Sequence, residues 1–176
     1  MDGGDKMEQL VDLIMSKTFK NQSKCNYRLA SRAIIYQDGK VLLIHSKFYN
    51  DYTFPGGGVE FAEDEYHALV RECQEEAGVV IENARLFCKT VEKREMDNES
   101  YMLQESHCYL CDVKEMCPTS LESYEVDLGY EPVWITVDEA IKNNEAKRKL
   151  LKSSDYDGVL ERELRVLHRV KEYFMG

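Results

Sequence analysis

From Pro55 to Gly78 the chain reads PGGGVEFAEDEYHALVRECQEEAG, and no other stretch narrows the fold so far. Three consecutive glycines can take backbone angles closed to other residues and let the chain approach a ligand closely. The pattern behind them predicts a helix from Glu63 to Ala77, with Gly78 as its left-handed C-cap. Projected at about 100° per residue, Tyr66, Leu69, Val70, Cys73 and Ala77 share an apolar face. Glu65, Glu72, Glu75 and Glu76 share another, with Ala68 in its middle. Like charges three and four residues apart destabilise a helix by roughly 0.2–0.5 kcal/mol per pair. A solvated acidic face would normally carry Lys or Arg four residues on, but Glu72 is followed at that spacing by Glu76, and Arg71 is the nearby cation. A glycine loop running into such a helix suits a hard divalent cation, since Mg²⁺ or Mn²⁺ prefers oxygen ligands and Mg²⁺ commonly bridges carboxylates to phosphates.

Hydrophobic spacing lays out the rest of the chain. Met7, Leu10, Val11, Ile14 and Met15 recur at helical intervals, which predicts an N-terminal amphipathic helix. Residues 1–24 are therefore expected to form a helical extension that packs on the domain or offers a homodimer contact, and residues 25–176 a single domain. The run RLASRAIIYQDGKVLLIHS predicts two strands around Asp38-Gly39, one of the strongest short hairpin signals. Two more β-rich runs extend from Val80 to Arg94 and from Tyr101 to Val113. A short strand at Val133-Trp134-Ile135 precedes a helix capped by Thr136 or Asp138, and VLERELRVLHRVKEYF closes the chain as a long amphipathic helix. Helices interleaved with mixed or antiparallel strands predict an α/β sandwich with helices on both sides of the sheet.

Composition excludes several roles. With 176 residues, 43% of them hydrophobic, one globular domain with a sizeable core is expected. A net charge of −10 argues against a nucleic-acid polymer as partner, because its phosphates call for a basic surface. A small anion remains compatible if metal ions offset the acids. No apolar run approaches the roughly eighteen residues of a membrane span, and MDGGDKMEQL lacks the basic and apolar regions of a signal peptide, so a cytoplasmic location and no membrane partner are the expectation. Six cysteines then stay reduced. Cys108 and Cys111 form a CxxC within a strand, where residues three apart face opposite ways, so they are read as ordinary strand cysteines.

Gly57, five residues, Glu63, seven residues, then Arg71-Glu72-Cys73-Gln74-Glu75-Glu76-Ala77-Gly78-Val79 resembles a complete Nudix box, GX5EX7REUXEEXGU, with Cys73 and Val79 at the U positions. The resemblance implies an α/β/α sandwich and Mg²⁺- or Mn²⁺-dependent hydrolysis of a nucleoside diphosphate linked to another moiety. It implies Glu72, Glu75, Glu76 and the Gly56 carbonyl as metal ligands, Arg71 as the residue that orients the glutamates, and Glu63 as support for the helix start and its water network. Glu72 is the first choice of general base; Glu125 and then Glu122, in LESYEVDLGYE, are the loop candidates, with plain solvation as their competing reading. Gly57 and Gly58 would bring backbone groups to the substrate, and Arg28 and Arg32, on one face of a strand, are candidates for a terminal phosphate or sugar.

Substrate choice lies outside the box. The proline and tyrosine that accompany ADP-ribose and dinucleoside polyphosphate cleavage in relatives are absent from the region that holds Arg94-Glu95-Met96-Asp97, and the coenzyme A and NADH signatures are missing too. ADP-ribose or a nucleotide sugar is the first expectation and a nucleoside triphosphate the alternative. A binding module would be expected to break REUXEE, which is intact here; a purely structural protein would use its terminal helices instead.

Overall fold

Two sheets joined by one continuous chain crossing form the frame of the molecule. The structure is a computed structural model that describes residues 11–15, 19–151 and 156–176. The first sheet contains β1 (Val11–Met15), β2 (Lys24–Ile34), β6 (Gly56–Gly58), β7 (Val79–Glu95) and β8 (Ser100–Met116), in the order β1-β7-β8-β2-β6. In the second, β4 (Lys40–Ser46) pairs antiparallel with β3 (Tyr36–Gln37), β5 (Asp51–Thr53) and β9 (Tyr130–Thr136).

Asp38 and Gly39, with φ of 50° and 80°, close the β3–β4 hairpin as the primed turn that Asp-Gly favours. The longer strand ahead of it does not join that hairpin. β2 runs parallel to β8 and antiparallel to β6, and the chain changes sheet at Ile35, whose carbonyl accepts from Leu42 N–H at 3.0 Å. Alternation along the crossing is what lets it serve both layers: Ala33 and Ile35 point to one core, Ile34 to the other. Val41 and Leu43 separate from Leu42 and Ile44 in the same way.

Helix α1 (Glu65–Ala77) lies on one side, its Leu69, Cys73 and Ala77 packed on Leu42, Ile44, Val79 and Ile81. Helices α3 (Val137–Leu150) and α4 (Tyr156–Met175) cover the other, where Ala140, Ile141, Leu164, Leu167 and Val170 meet Ile34, Leu43 and Phe87. This is the expected α/β/α sandwich with a mixed sheet. Cys108 belongs to one core and Cys111 to the other, both free thiols on opposite faces of β8, as the strand spacing required. Among the described residues no helix is long and apolar enough to cross a membrane.

Three expectations need correction. Val11–Met15 is an edge strand parallel to β7, with Ile14 buried and Met15 exposed, so the N-terminal helix does not hold there; Met7 and Leu10 lie outside the described residues. The free edge of β7 supplies a hydrogen-bond ladder for one side of the segment, which helical spacing of its apolar residues cannot reveal. On α1, Tyr66 is exposed, while Ala68 and Glu76, placed on the acidic face, are buried. The predicted loop around Glu125 contains a short helix, α2 (Ser123–Asp127), held by a capping box between Glu122 and Glu125.

Candidate active site

The box forms the loop from β6 into α1, and each end of that helix is fixed locally. Asp64 caps it through the amide of His67 at 2.8 Å, and Gly78, at φ 63° and ψ 38°, ends it with its N–H on the Cys73 carbonyl. Two loop glycines stand where a side chain would collide, at Gly56 with backbone and at Gly57 with the Glu72 carboxylate. Gly56 has φ 142°, and a Cβ there would lie 2.1 Å from the Ser31 carbonyl oxygen. At Gly57 a Cβ would lie 2.3 Å from Glu72 Oε1, so its absence is what gives the Glu72 carboxylate room against the loop.

Arg71 gathers the acids that would otherwise repel one another. Its Nε and Nη2 donate to Glu63 at 3.0 Å each, a two-pronged pair, and its Nη1 donates to Glu72 at 2.9 Å and Glu75 at 3.2 Å. Glu63 also accepts from Glu60 N–H, which ties the helix start to the loop. The hydrogen bonds from Glu63 first, and then the Glu72 charge, push the Arg71 pKa up. Glu76 is buried and accepts from Gly56 N–H at 2.9 Å. Burial raises its pKa well above the carboxylate range; the Gly56 bond opposes this, and Glu72 and Glu125 add repulsion. Burial also raises the pKa of Glu72, against Arg71, with Glu75 and Glu125 contributing.

A cavity of about 490 Å³ opens beside this helix. Glu72, Glu76, Gly56, Gly57 and Gly58 line it together with Arg28, Arg32, Arg94 and Arg162, and with Tyr124 and Tyr130. Of the residues anticipated from sequence, Glu72, Glu76, Arg71, Gly56, Gly57, Gly58, Arg28 and Arg32 thus come together. Glu63 and Glu75 stand behind Arg71 rather than on the cavity wall. Glu122 reaches the wall, whereas Glu125 is buried and committed to α2, accepting from Glu122 N–H at 2.8 Å and from Tyr124 Oη at 2.9 Å. Arg32 donates through Nη1 to the carbonyls of Phe54 and Gly56 at 3.4 and 3.3 Å, while its Nε is buried without a hydrogen-bond partner.

Among the described residues no three His, Cys, Asp or Glu groups converge closely enough to hold an ion in the arrangement seen. The donor chemistry nonetheless fits one: Glu72 and Glu76 are hard oxygen ligands whose ionisation burial and mutual repulsion disfavour, and a divalent cation relieves both. Arg94 and Arg162 were not singled out by sequence. Arg94 is one basic residue in an alternating strand, and Arg162 sits in ERELR, where flanking acids suggest a solvated helix face.

The sequence pattern of the NUDIX domain matches residues 26–153. The human protein diphosphoinositol polyphosphate phosphohydrolase NUDT4B is 35% identical over 109 residues, covering 60% of this chain and 55% of that protein. Human diphosphoinositol polyphosphate phosphohydrolase 3-beta is 32% identical over 127 residues, covering 70% and 68%. The chain therefore spans little more than half the length of the first of these relatives, 55% of it. Among solved structures, a MutT NUDIX hydrolase from Burkholderia pseudomallei is 27% identical with a TM-score of 0.50, over 64% of this chain and 85% of that one. A NUDIX hydrolase from Nitrosomonas europaea, 20% identical, matches the fold with a TM-score of 0.56 over 84% and 88%.

Proposed function

This chain belongs to the Nudix family, and from that premise we propose that it is a pyrophosphohydrolase that uses Mg²⁺ or Mn²⁺ to split a diphosphate linkage in a small phosphorylated molecule. One observation carries the reading: carboxylates and guanidinium groups line a single cavity. Phosphate oxygens bind directly to the guanidinium side, whereas the carboxylate side can meet them only through intervening cations.

Glu72, Glu75, Glu76 and the Gly56 carbonyl would hold the ions, which when bound neutralise phosphate charge and lower the pKa of a water molecule. Arg71 keeps Glu72 and Glu75 aimed and prevents their mutual repulsion from spreading the helix face. Glu63 anchors that arginine from behind. Glu72, held against Gly57 at the cavity wall, is the first choice to accept the proton of the attacking water, and Glu122, on the same wall, is the second. Arg32 and Arg28 bind the substrate beyond the scissile linkage.

Two substrate readings rest on different features. Tyr124 and Tyr130 on the wall can stack a base, which favours ADP-ribose or a nucleotide sugar. The four guanidinium groups, and relatives named for diphosphoinositol polyphosphates, favour a phosphate-dense molecule. The deciding assay incubates the protein with ADP-ribose, a nucleotide sugar, nucleoside triphosphates and a diphosphoinositol polyphosphate, with Mg²⁺ or with excess EDTA, and identifies the products. Metal-dependent cleavage between two phosphorus atoms is expected. Turnover undiminished in EDTA, or none with any substrate, would end the proposal.

A further inference from the structure

The guanidinium side of the cavity has an internal structure of its own. Arg162, on α4, is 3% exposed and already matched: it donates to Glu92 Oε2 at 2.7 Å and, through Nε and Nη2, to Glu163 Oε1 at 2.9 and 2.6 Å. Glu163 is anchored in turn by Phe54 N–H at 2.9 Å, and Glu92 also accepts from the buried Gln104 amide at 3.2 Å. This lattice is a rigid floor. Arg94 lies beside it but outside its hydrogen bonding, with an ion pair to Glu92 Oε1 at 3.7 Å and a buried Nε that has no partner. Arg32 repeats the pattern, with its own Nε buried and unpartnered.

The fold makes room for Arg94 at Gly158, in the first turn of α4. A Cβ at Gly158 would lie 3.1 Å from Arg94 Cδ and 3.3 Å from its Cγ, so the arginine stem packs on the bare helix backbone. Burial lowers the pKa of Arg94, Glu92 opposes this, and Arg162, Arg32 and Arg28 lower it further. Those neighbours mark out one region, while Glu72 answers instead to Arg71, Glu75 and Glu125. Arg32 is felt by both groups, through Arg94 and through Glu76.

We propose that Arg94 and Arg32, standing on the Arg162–Glu92–Glu163 floor, form a second anion subsite that takes a phosphomonoester dianion separate from the diphosphate being cleaved. Two partly buried forks whose buried Nε donors lack acceptors are matched by an ion with several acceptor oxygens and more than one charge, which the fixed carboxylates below, both bound to Arg162, do not replace. The subsite deepens the reading of this cavity as a phosphohydrolase site and rests on it for its biological use, but its occupancy needs no metal and no turnover.

Inorganic phosphate is therefore the probe, titrated in excess EDTA by calorimetry into wild type, Arg94→Gln and Glu72→Gln. Wild type and Glu72→Gln should bind phosphate alike, and Arg94→Gln at least about tenfold more weakly. Gly158→Ala, which keeps the charge and suits the helix, should also weaken binding by displacing the stem. Equal binding by Arg94→Gln and Gly158→Ala, or none by wild type, overturns the subsite. Loss in Arg94→Gln from a protein that hydrolyses nothing keeps the subsite and rejects the hydrolase reading. With Mg²⁺, ADP-ribose and its 2′-phosphorylated form separate the sources of the anion. If the phosphate belongs to substrate, Arg94→Gln raises KM for the phosphorylated form alone. If it is a free ligand, added phosphate changes the wild-type rate on both and leaves the variant unaffected. If the protein hydrolyses these substrates and neither dependence appears, the subsite has no part in catalysis and the proposal fails.

Discussion

Glu76 and Asp51 are buried carboxyl groups with opposite surroundings, and they yield separate predictions. Glu76 has an amide partner and acidic neighbours; its folded pKa lies above its unfolded value near 4.5, so in EDTA its contribution to stability is lost as pH rises above that value. Glu76→Gln should therefore melt higher than wild type in EDTA at pH 8 and show no such gain at pH 4. With Mg²⁺ its turnover should fall on the order of a hundredfold or more, as the loss of the ion ligand proposed above requires. A variant that melts lower in EDTA and retains full activity would make Glu76 an ordinary glutamate. Asp51 is fully buried with neither carboxyl oxygen hydrogen-bonded. Burial, then Glu163, raises its pKa from 3.8 to about 6, against Lys147 and His45. The folded protein holds that proton more tightly, so stability is greatest below 3.8 and falls as pH climbs through about 6. The loss is at most about 3 kcal/mol. Asp51→Asn should remove it, raising Tm at pH 8 and leaving Tm at pH 4 nearly unchanged; denaturation at both pH values checks this.

At the scale of elements, α4 is tied to the sheet by charge as well as by Leu160, Leu164 and Leu167. Arg162→Met leaves Glu92 and Glu163 buried without their shared cation, and should cost about 3–5 kcal/mol in urea denaturation, with part recovered by adding Glu92→Gln. A loss below about 1 kcal/mol would mean the lattice is dispensable. Nothing in ERELR announces this, because the partners of Arg162 and Glu163 are Glu92 in β7 and Phe54 just past β5, with Gln104 of β8 holding Glu92, all far away in sequence. What could be read beforehand was local. The Asp-Gly turn, the Gly78 cap, the Thr136 cap and the amphipathic closing helix each follow from the chemistry of neighbouring residues, and all are present. The carboxylate side of the site was equally legible, since its residues lie on one loop and helix. Arg28 and Arg32, on one strand face, were legible as well, whereas β1, Arg94 and Arg162 were not: a parallel edge pairing and a cavity side drawn from β2, β7 and α4 exist only once the sheet has closed.

For the whole molecule, a net charge of −10 surrounds a cavity with a strongly basic side. Millimolar Mg²⁺ should raise the wild-type Tm by linkage and raise that of Glu76→Gln less, because the ion binds the folded site and finds little in the unfolded chain. Equal shifts for both would place the ion elsewhere. The parallel pairing of β2 with β8 carries a further consequence, one of timing. Lys24 sits opposite Ser100 and Ile34 opposite Leu110, so β2 gains that neighbour only when the middle of the chain has been made. Such a long closure is slow relative to helix formation. During synthesis the glycine loop and α1 emerge whole, before β8 can align Arg32 with Arg94 and before α4 brings Arg162. The growing polypeptide thus carries the glycine loop and glutamate helix first and gains the arginines of the cavity last, which makes the cavity a late product of folding.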